Sequence, residues 1–249
     1  LWGIRVDNVS LNFAISKVKS WVAFGNRGYV IVTPDALAAL RSRYDRNYRA
    51  IAREADLVLP DGMGLIQALR LLGTPVQQRI PGVEFVEQLC RLSASEKSPI
   101  FFLGAREGVA TEAASRLSQK FPGMVIAGTR HGYFSKDEEE SVCREIREAG
   151  TRILLVGLGV PQQEMFIRRN LPSLGHVVAM GVGGSFDVLS GKLRRAPSLM
   201  QKLGLEWLFR LCQEPRARFR KDLGLALFAA LVLLKRVGLD HWKDGELHG

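Results

Sequence analysis

At 249 residues, with 47% hydrophobic and 24% charged side chains, the sequence is long enough for a full core and has an ordinary globular composition. The formal net charge of +10 indicates an anionic partner, which could be nucleic acid, a membrane surface or a phosphorylated substrate. The cysteines Cys90, Cys143 and Cys212 lie far apart, which excludes the paired spacing of a zinc site or a disulfide framework and indicates buried or neutral thiols in a reducing compartment.

Short apolar runs alternate with helical patterns, which predicts an α/β fold with a Rossmann-like, mostly parallel sheet and flanking helices. The predicted strands are Tyr29 to Thr33, Asp56 to Leu59, Pro99 to Leu103, Met124 to Gly128, Arg152 to Val156 and His176 to Met180. The predicted helices are Asn12 to Phe24, Asp35 to Asn47, Met63 to Leu72, Val83 to Leu92, Glu107 to Phe121, Lys136 to Ala149 and Gln162 to Asn170.

Two domains are the simplest division of the chain. We expect a catalytic domain over residues 1–195 and a helical, basic and apolar appendage over residues 196–249. The sequence does not begin with a secretory signal pattern. Because it begins at Leu1 and not Met, removal of residues from the true N-terminus stays open.

Polar residues and glycines follow the predicted strands where loops turn into helices. Ligands of open parallel sheets bind at the carboxyl ends of the strands, so we expect these residues to share one rim. In chain order they are Thr33 and Asp35, Asp61, Gly104 and Arg106, Tyr133, Gln162 to Glu164, and Gly181 to Asp187.

The last predicted strand leads into a glycine turn. Gly181, Gly183 and Gly184 let the backbone turn sharply with N–H groups free to meet an anion, and Ser185 and Asp187 could reach a ribose or a base. This pattern suits a nucleotide diphosphate. The alternative is a plain strand, a glycine turn and a surface helix, because short glycine motifs often occur without a ligand.

The positive charge is concentrated in the C-terminal part. Between Lys192 and Arg236 the sequence has eleven Lys or Arg residues against three acids. Leu223 to Leu234 form an uncharged, mostly apolar run of twelve residues, which is shorter than the about 20 that a bilayer-spanning helix needs. An interfacial helix against anionic lipid fits the run, and a helix packed on the core or on a second protomer is the alternative.

Six motifs occur in order over nearly the whole chain: VTPDAL from Val32, ADLVLPDGMG from Ala55, RIPGVEF from Arg79, VGLGVPQQE from Val156, GVGGSFDVLSGKLRRAP from Gly181 and GLEWLFRLCQEPR from Gly204. Together they resemble the WecG/TagA/CpsF family of bacterial glycosyltransferases, glycosyltransferase family 26. The resemblance implies an inverting transfer, without a catalytic metal, from a UDP-sugar to a polyprenyl-diphosphate-linked saccharide. It also implies a membrane-docking appendage and a place at the cytoplasmic face of the bacterial cell membrane, peripheral or monotopic, in surface polysaccharide or teichoic acid synthesis.

The catalytic roles carried over from the family begin with Asp61, the predicted base. An inverting transfer needs a group that takes the proton of the acceptor hydroxyl, and a carboxylate serves this purpose. Capping of the helix near Met63 is the alternative role of Asp61. Thr33, after the first predicted strand, is placed to hydrogen-bond an acceptor hydroxyl, although Thr-Pro-Asp before a helix is equally a capping sequence. The resemblance places Gln163 and Arg79 in the active site, Gln163 near the reacting sugar and Arg79 near the substrate's negative charge; surface positions are the alternative for both.

Binding roles follow from the same resemblance. Asp35 stands where the family commonly has Asn, so it could bind a sugar hydroxyl, share the base role or only cap a helix. Tyr133 could stack on uracil or be a plain rim aromatic, and Asp187 could hold the ribose. The remaining candidates would bind the diphosphate through N–H groups or guanidinium groups: Gly104, Arg106, Gly181, Val182, Gly183, Gly184, Arg210, Arg216 and Arg218.

Other functions fit less well. A non-catalytic nucleotide-binding or lipid-binding module is the main alternative, because of the basic C-terminal part. An NAD-dependent oxidoreductase is disfavoured because GVGGSFD lacks the G-x-G-x-x-G spacing and an acid about 20 residues beyond it. Nucleic-acid binding is disfavoured because the basic residues frame an apolar run and not exposed aromatic residues. We expect no cofactor.

Overall fold

The computed structural model describes residues 1–74, 76–202, 204–213 and 215–240; the side chains of residues 198, 202, 210 and 216–222 also lie outside this description. The strands are β1 (Tyr29–Val32), β2 (Leu57–Val58), β3 (Ile100–Gly104), β4 (Ile126–Arg130), β5 (Ile153–Gly157) and β6 (Val178–Gly181). The helices are α1 (Leu11–Phe24), α2 (Ala36–Tyr44), α3 (Arg46–Glu54), α4 (Met63–Leu71), α5 (Gly82–Glu96), α6 (Val109–Lys120), α7 (Glu139–Glu148), α8 (Gln162–Leu174), α9 (Ser185–Leu189), α10 (Ser198–Lys202), α11 (Glu206–Gln213) and α12 (Pro215–Arg236).

The six strands form one parallel sheet in the order β2-β1-β6-β5-β3-β4, which confirms the predicted α/β fold. Successive strand residues point to opposite faces, so Val30 and Val32 join one core cluster while Ile31 joins the other. Both faces are therefore buried, which explains why the strands read as continuous apolar runs.

Helices cover both faces of the sheet. Buried residues of α2, α3, α4, α7, α8 and α12 belong to the first cluster, and those of α1, α5, α6 and α9 to the second. The neighbouring strands β1 and β6 are followed by helices on opposite faces, α2 and α9. Such a reversal opens a crevice at the carboxyl edge of a sheet, where ligands bind.

The predicted helix from Asp35 to Asn47 is two helices in the structure. Asp45 has an extended backbone, with φ −112° and ψ 101°, which ends α2. Its carboxylate accepts a hydrogen bond from the Tyr48 backbone N–H at 2.9 Å and so begins α3. An aspartate that caps a new helix breaks a helical pattern without any glycine or proline to mark the break.

The helix α12 packs on the first face of the sheet. Phe228 and Val232 are buried there, and a Cβ atom on Gly224 would lie 2.9 Å from Leu37 Cδ2 of α2. The Phe228 ring meets the Trp2 indole edge-on, with centroids 5.5 Å apart. The same helix leaves other leucines exposed, so it combines a packed face with a free apolar face. No helix in the described ranges is long and apolar enough to cross a membrane.

Replacement of Phe228 by alanine tests the packing of α12. Phe228 is 4% exposed, so Phe228→Ala should lower the free energy of unfolding by about 3 kcal/mol through lost burial and a cavity. Its neighbour Leu227 is 47% exposed, and Leu227→Ala should change that free energy by about 0.5 kcal/mol or less. Urea denaturation measures both; equal effects would contradict the packing of α12 on α2.

Candidate functional site

The rim residues lie at the carboxyl edge of the sheet in three adjoining groups. At β2 and β1 are Asp61, Thr33 and Asp35; at β6 and β5 are the glycine turn and Gln163; at β3 and β4 are Gly104, Arg106 and Tyr133. Neighbouring strands lie about 4.8 Å apart, so the rim is roughly 24 Å long from β2 to β4. The structure therefore gathers the residues that the sequence predicted for one edge.

Asp61 and Thr33 meet at the N-terminus of α5. A Cβ atom on Gly82, the first residue of α5, would lie 3.3 Å from Asp61 Oδ2 and 3.4 Å from Thr33 Oγ1. The carboxylate and the hydroxyl thus face the same space, which a glycine leaves open. Gly82 was not predicted as a site residue, although its place in RIPGVEF directly after a proline was the signal available.

Arg79 lies beside Asp61 and is not a free surface residue. Its Nη2 atom is 3.6 Å from Asp61 Oδ1, and its Nε–H donates to the Asp61 carbonyl oxygen. Burial raises the pKa of Asp61 to about 6. The Arg79 charge and the hydrogen bond from the Gly82 N–H oppose this by lowering the pKa, while the negative charges of Asp35 and Glu206 raise it by smaller amounts. A carboxylate with this pKa is ionised at neutral pH and is a stronger base than an ordinary aspartate.

Asp35 caps α2. Its Oδ1 accepts a hydrogen bond from the Ala38 backbone N–H at 2.8 Å, so the capping role is present in the structure. Gly62 lies against it, since a Cβ atom on Gly62 would be 2.9 Å from Asp35 Cβ. Asp35 is therefore held next to the Asp61 segment, and any role in sugar binding would be in addition to the cap.

Gln163 is buried beneath the glycine turn and is 3% exposed, which excludes the surface alternative. Its Oε1 accepts a hydrogen bond from the Gly183 N–H at 2.9 Å, and its Nε2 donates to Glu164 Oε1 at 2.8 Å. A Cβ atom on Gly181 would lie 2.5 Å from Gln163 Nε2, so glycine is needed there for the amide to reach the turn. Gln163 thus holds the loop after β6 from below.

The glycine turn differs from the expected set of free N–H donors. The Val182 N–H donates to the Val156 carbonyl oxygen at 2.9 Å, and the Gly183 N–H donates to Gln163. These two donors already have acceptors because the turn is tied to β5 and α8. Gly184 is the exposed member of the turn, and the Asp187 carboxylate lies next to it.

Glu164 is a buried carboxyl group, expected from the sequence to lie on the rim but given no role there. It is 3% exposed, and its Oε2 atom has no hydrogen-bond partner within the described part of the chain. Burial raises its pKa to about 7, while the hydrogen bond from Gln163 lowers it. The buried Tyr48 Oη atom also has no hydrogen-bond partner within the described part of the chain. The Tyr48 pKa is raised mainly by burial and next by the negative charge of Glu164. An acid in the first turn of a helix usually suits the helix dipole, so its burial was not visible in the pattern.

The third group surrounds Gly104 at the end of β3. Gly104 has φ +129°, and a Cβ atom there would lie 2.5 Å from the Gly157 carbonyl, so only glycine fits. The Gly132 N–H donates to the Ala105 carbonyl oxygen at 2.9 Å, which brings the loop after β4 to this turn. Arg106 is exposed, and Tyr133 is 71% exposed, so both side chains can reach a ligand.

The C-terminal candidates are placed only in part. The side chains of Arg210, Arg216 and Arg218 lie outside the described residues, although α11 and α12 contain these positions. A residue of α11 that was not predicted, Glu206, accepts a hydrogen bond from Arg79 Nη2 at 3.0 Å. Within the described ranges, no group of three or more His, Cys, Asp or Glu side chains is arranged to hold a metal ion.

Comparisons with known proteins agree over most of the chain. The family model described as Glycosyl transferase WecG/TagA/CpsF family matches residues 1–241. An N-acetylglucosaminyldiphosphoundecaprenol N-acetyl-beta-D-mannosaminyltransferase of Bacillus spizizenii is 36% identical over 230 residues, which cover 90% of this chain and 88% of that protein. A protein of the same name from Bacillus subtilis is 35% identical over 206 residues, which cover 83% of this chain and 79% of that protein.

The buried Glu164 carboxyl should make stability depend on pH. The Glu164 carboxyl has a pKa of 4.5 in the unfolded chain and about 7 in the folded protein. Between these pH values the unfolded chain has lost the proton while the folded protein still holds it, so the free energy of unfolding falls as pH rises. Relative to Glu164→Gln, the wild type should lose roughly 3 kcal/mol between pH 4 and pH 8. Urea denaturation at several pH values measures this difference. Glu112→Gln, at an exposed ion pair with Arg116, should show no comparable trend, and a constant difference for Glu164→Gln would contradict the burial of a protonated acid.

Proposed function

The chain belongs to the WecG/TagA/CpsF family of glycosyl transferases, and from this premise we propose that it moves a hexose-type sugar from a UDP-sugar to a polyprenyl-diphosphate-linked saccharide. The two Bacillus relatives are named for transfer of N-acetylmannosamine to N-acetylglucosaminyldiphosphoundecaprenol. UDP-N-acetylmannosamine and a lipid-diphosphate-linked N-acetylglucosamine are accordingly the substrates to test first.

Asp61 is the proposed base, and its surroundings are the observation that carries the proposal. The carboxylate lies beside the Thr33 hydroxyl in a space kept open by Gly82, and its pKa is raised to about 6. In the proposed step, the acceptor oxygen forms a bond to the anomeric carbon while its proton passes to Asp61. The bond from that carbon to the β-phosphate oxygen breaks on the opposite side, UDP leaves with the electron pair, and the configuration inverts.

Departure of UDP places negative charge on the β-phosphate, which cations and helix N-termini can stabilise. Arg79 is held at the base, and Arg106 is exposed at the opposite end of the rim. We propose that these guanidinium groups, with Arg210, Arg216 and Arg218 from the C-terminal helices, replace the metal ion that other sugar transferases use. The N–H groups of the glycine turn contribute less than the sequence suggested, since Val182 and Gly183 already donate within the protein.

The nucleotide is proposed to lie over β6, β5, β3 and β4, with its reacting end towards β1. Tyr133 and Asp187 stand along this part of the rim, where a base could stack on the ring and a ribose could reach the carboxylate. Gln163 holds the glycine turn in place, because its amide oxygen accepts a hydrogen bond from the Gly183 N–H. The acceptor then approaches from the β2 end, where Asp61, Thr33 and Asp35 lie.

Replacement of Asp61 by asparagine tests the base. Asp61→Asn keeps the shape but cannot accept the proton, so kcat should fall roughly 10²- to 10⁴-fold with a small change in KM. The assay is UDP release from UDP-N-acetylmannosamine with a short-chain acceptor in EDTA, where the wild type should keep its activity. The wild-type rate should also fall below about pH 6, because Asp61 takes up a proton there.

Asp45 provides the matched control, since it caps α3 at the end of α2 away from the rim, and Asp45→Asn makes the same chemical change, keeps a capping side chain and should leave kcat unchanged. Full activity of Asp61→Asn would overturn the base assignment. Loss of wild-type activity in EDTA, restored by a divalent cation, would overturn metal independence.

Docking on an anionic membrane surface is the second part of the proposal. The free face of α12 exposes Leu223, Leu227, Leu233 and Leu234, and Lys235 and Arg236 follow at its end. Leucines between cationic residues suit insertion among anionic head groups. We propose that the chain is a peripheral protein of the cytoplasmic face, held there through residues 196–249, which would bring the rim to a lipid-linked acceptor.

Vesicle binding tests this surface. Leu227→Ser with Leu234→Ser should weaken co-sedimentation with vesicles of phosphatidylglycerol and phosphatidylcholine by about tenfold or more, because buried apolar area is lost. Phe13→Ser, at an exposed phenylalanine on the other face of the molecule, should not change binding. Unchanged binding of the double variant would contradict the proposal, and a dimer that the double variant abolishes would indicate a second copy as the occupant of this face.

A further inference from the structure

Glu206, the first residue of α11, reaches back to the candidate base through Arg79. Its Oε2 atom accepts a hydrogen bond from Arg79 Nη2 at 3.0 Å, although the two residues are 127 positions apart in sequence. Both side chains are largely buried. A largely buried pair of opposite charges has a defined geometry and is screened less by salt than a surface pair.

One guanidinium group is shared between two carboxylates. Arg79 Nη2 is 3.0 Å from Glu206 Oε2 but 3.6 Å from Asp61 Oδ1, while Arg79 Nε–H donates to the Asp61 carbonyl oxygen. The closer ion pair is thus with Glu206. The Asp61 carboxylate keeps a cation nearby at 3.6 Å, while the hydrogen bond from Arg79 goes to the Asp61 backbone carbonyl.

We propose that Glu206 is a positioning residue for sugar transfer, which draws the Arg79 guanidinium away from Asp61 so that the carboxylate stays free to take the acceptor proton. This inference rests on the proposed role of Asp61 as the base. An Arg79 paired closely with Asp61 would stabilise the charged carboxylate and make it a weaker base.

The charged groups around Asp61 fix the direction of the effect. Arg79 faces it from the loop before α5, Asp35 from the N-terminus of α2 and Glu206 from α11, and the Gly82 N–H donates to it from α5. Loss of the Glu206 charge removes a negative neighbour and lets Arg79 approach. Both changes lower the pKa of Asp61, because each favours its ionised form.

The placement of α11 does not depend on Glu206 alone. The Gln213 side chain exchanges two hydrogen bonds of 3.0 Å with the Arg194 backbone, and Arg195 pairs with Glu84 of α5 at 2.5 Å. Glu206→Gln, which preserves size and removes the charge, should therefore fold with α11 in place. Glu206→Asp, which restores a carboxylate, is the conservative variant for rescue.

The test is the pH dependence of kcat and kcat/KM between pH 5 and pH 9, with the Asp61 carboxyl pKa followed by carbon NMR in the same variants. In Glu206→Gln the acid limb and the NMR pKa should both move down by about one pH unit, and the plateau kcat should fall about tenfold with little change in KM. Glu206→Asp should restore part of both. The control Glu54→Gln, at the surface ion pair with Arg168, should leave the profile unchanged.

An NMR pKa of Asp61 that stays unchanged in Glu206→Gln would overturn the inference, whatever the activity. An acid limb that stays in place while kcat falls would also overturn it, because a loosened α11 would lower the rate without moving the limb. Absence of transfer by the wild type with any UDP-sugar would instead refute the proposed function, and the NMR titration separates the two failures.

Discussion

Because all six strands run in the same direction, their carboxyl ends share one edge, and the loops that leave this edge carry nearly every residue assigned to the site. The same constraint requires helices on both faces, since neither face of a parallel sheet is left to solvent. Asp61 and Gln163 are 102 positions apart by their numbers, yet both belong to this edge. The direction of the strands therefore decides where chemistry can occur, and the side chains decide which chemistry.

The rim is shaped as much by missing side chains as by present ones. Gly181 leaves room for the Gln163 amide, Gly82 keeps open the space between Asp61 and Thr33, and Gly104 permits contact with the Gly157 backbone. A Cβ atom added at any of these three glycines would lie 3.4 Å or less from another group. Glycine thus brings backbone and polar atoms close together where strands give way to loops.

Much of the fold and the general position of the site could be predicted from the sequence, because strand patterns and rim motifs are local signals. Asp61, Thr33 and Gln163 were predicted to lie at this edge from their positions after strands and from family resemblance, and the structure places them there. The contact of Glu206 with Arg79 and the burial of Glu164 were missed because an acid in the first turn of a helix has the same local pattern whether it is exposed or buried. The split at Asp45 and the donors used within the glycine turn depend on partners distant in sequence, which periodicity does not report.

The two ends of the described chain are fastened to each other. Trp2 is fully buried between α12 and its neighbours, its Nε1–H donates to Asp240 Oδ2 at 3.0 Å, and Arg43 of α2 pairs with the same carboxylate at 2.8 Å. Withdrawal of α12 from the sheet would therefore also uncover an indole and leave a buried ion pair incomplete. The residues around Trp2, α2 and α12 should accordingly open as one cooperative unit, so a helix with a free apolar face is anchored by residues more than 200 positions before it in sequence.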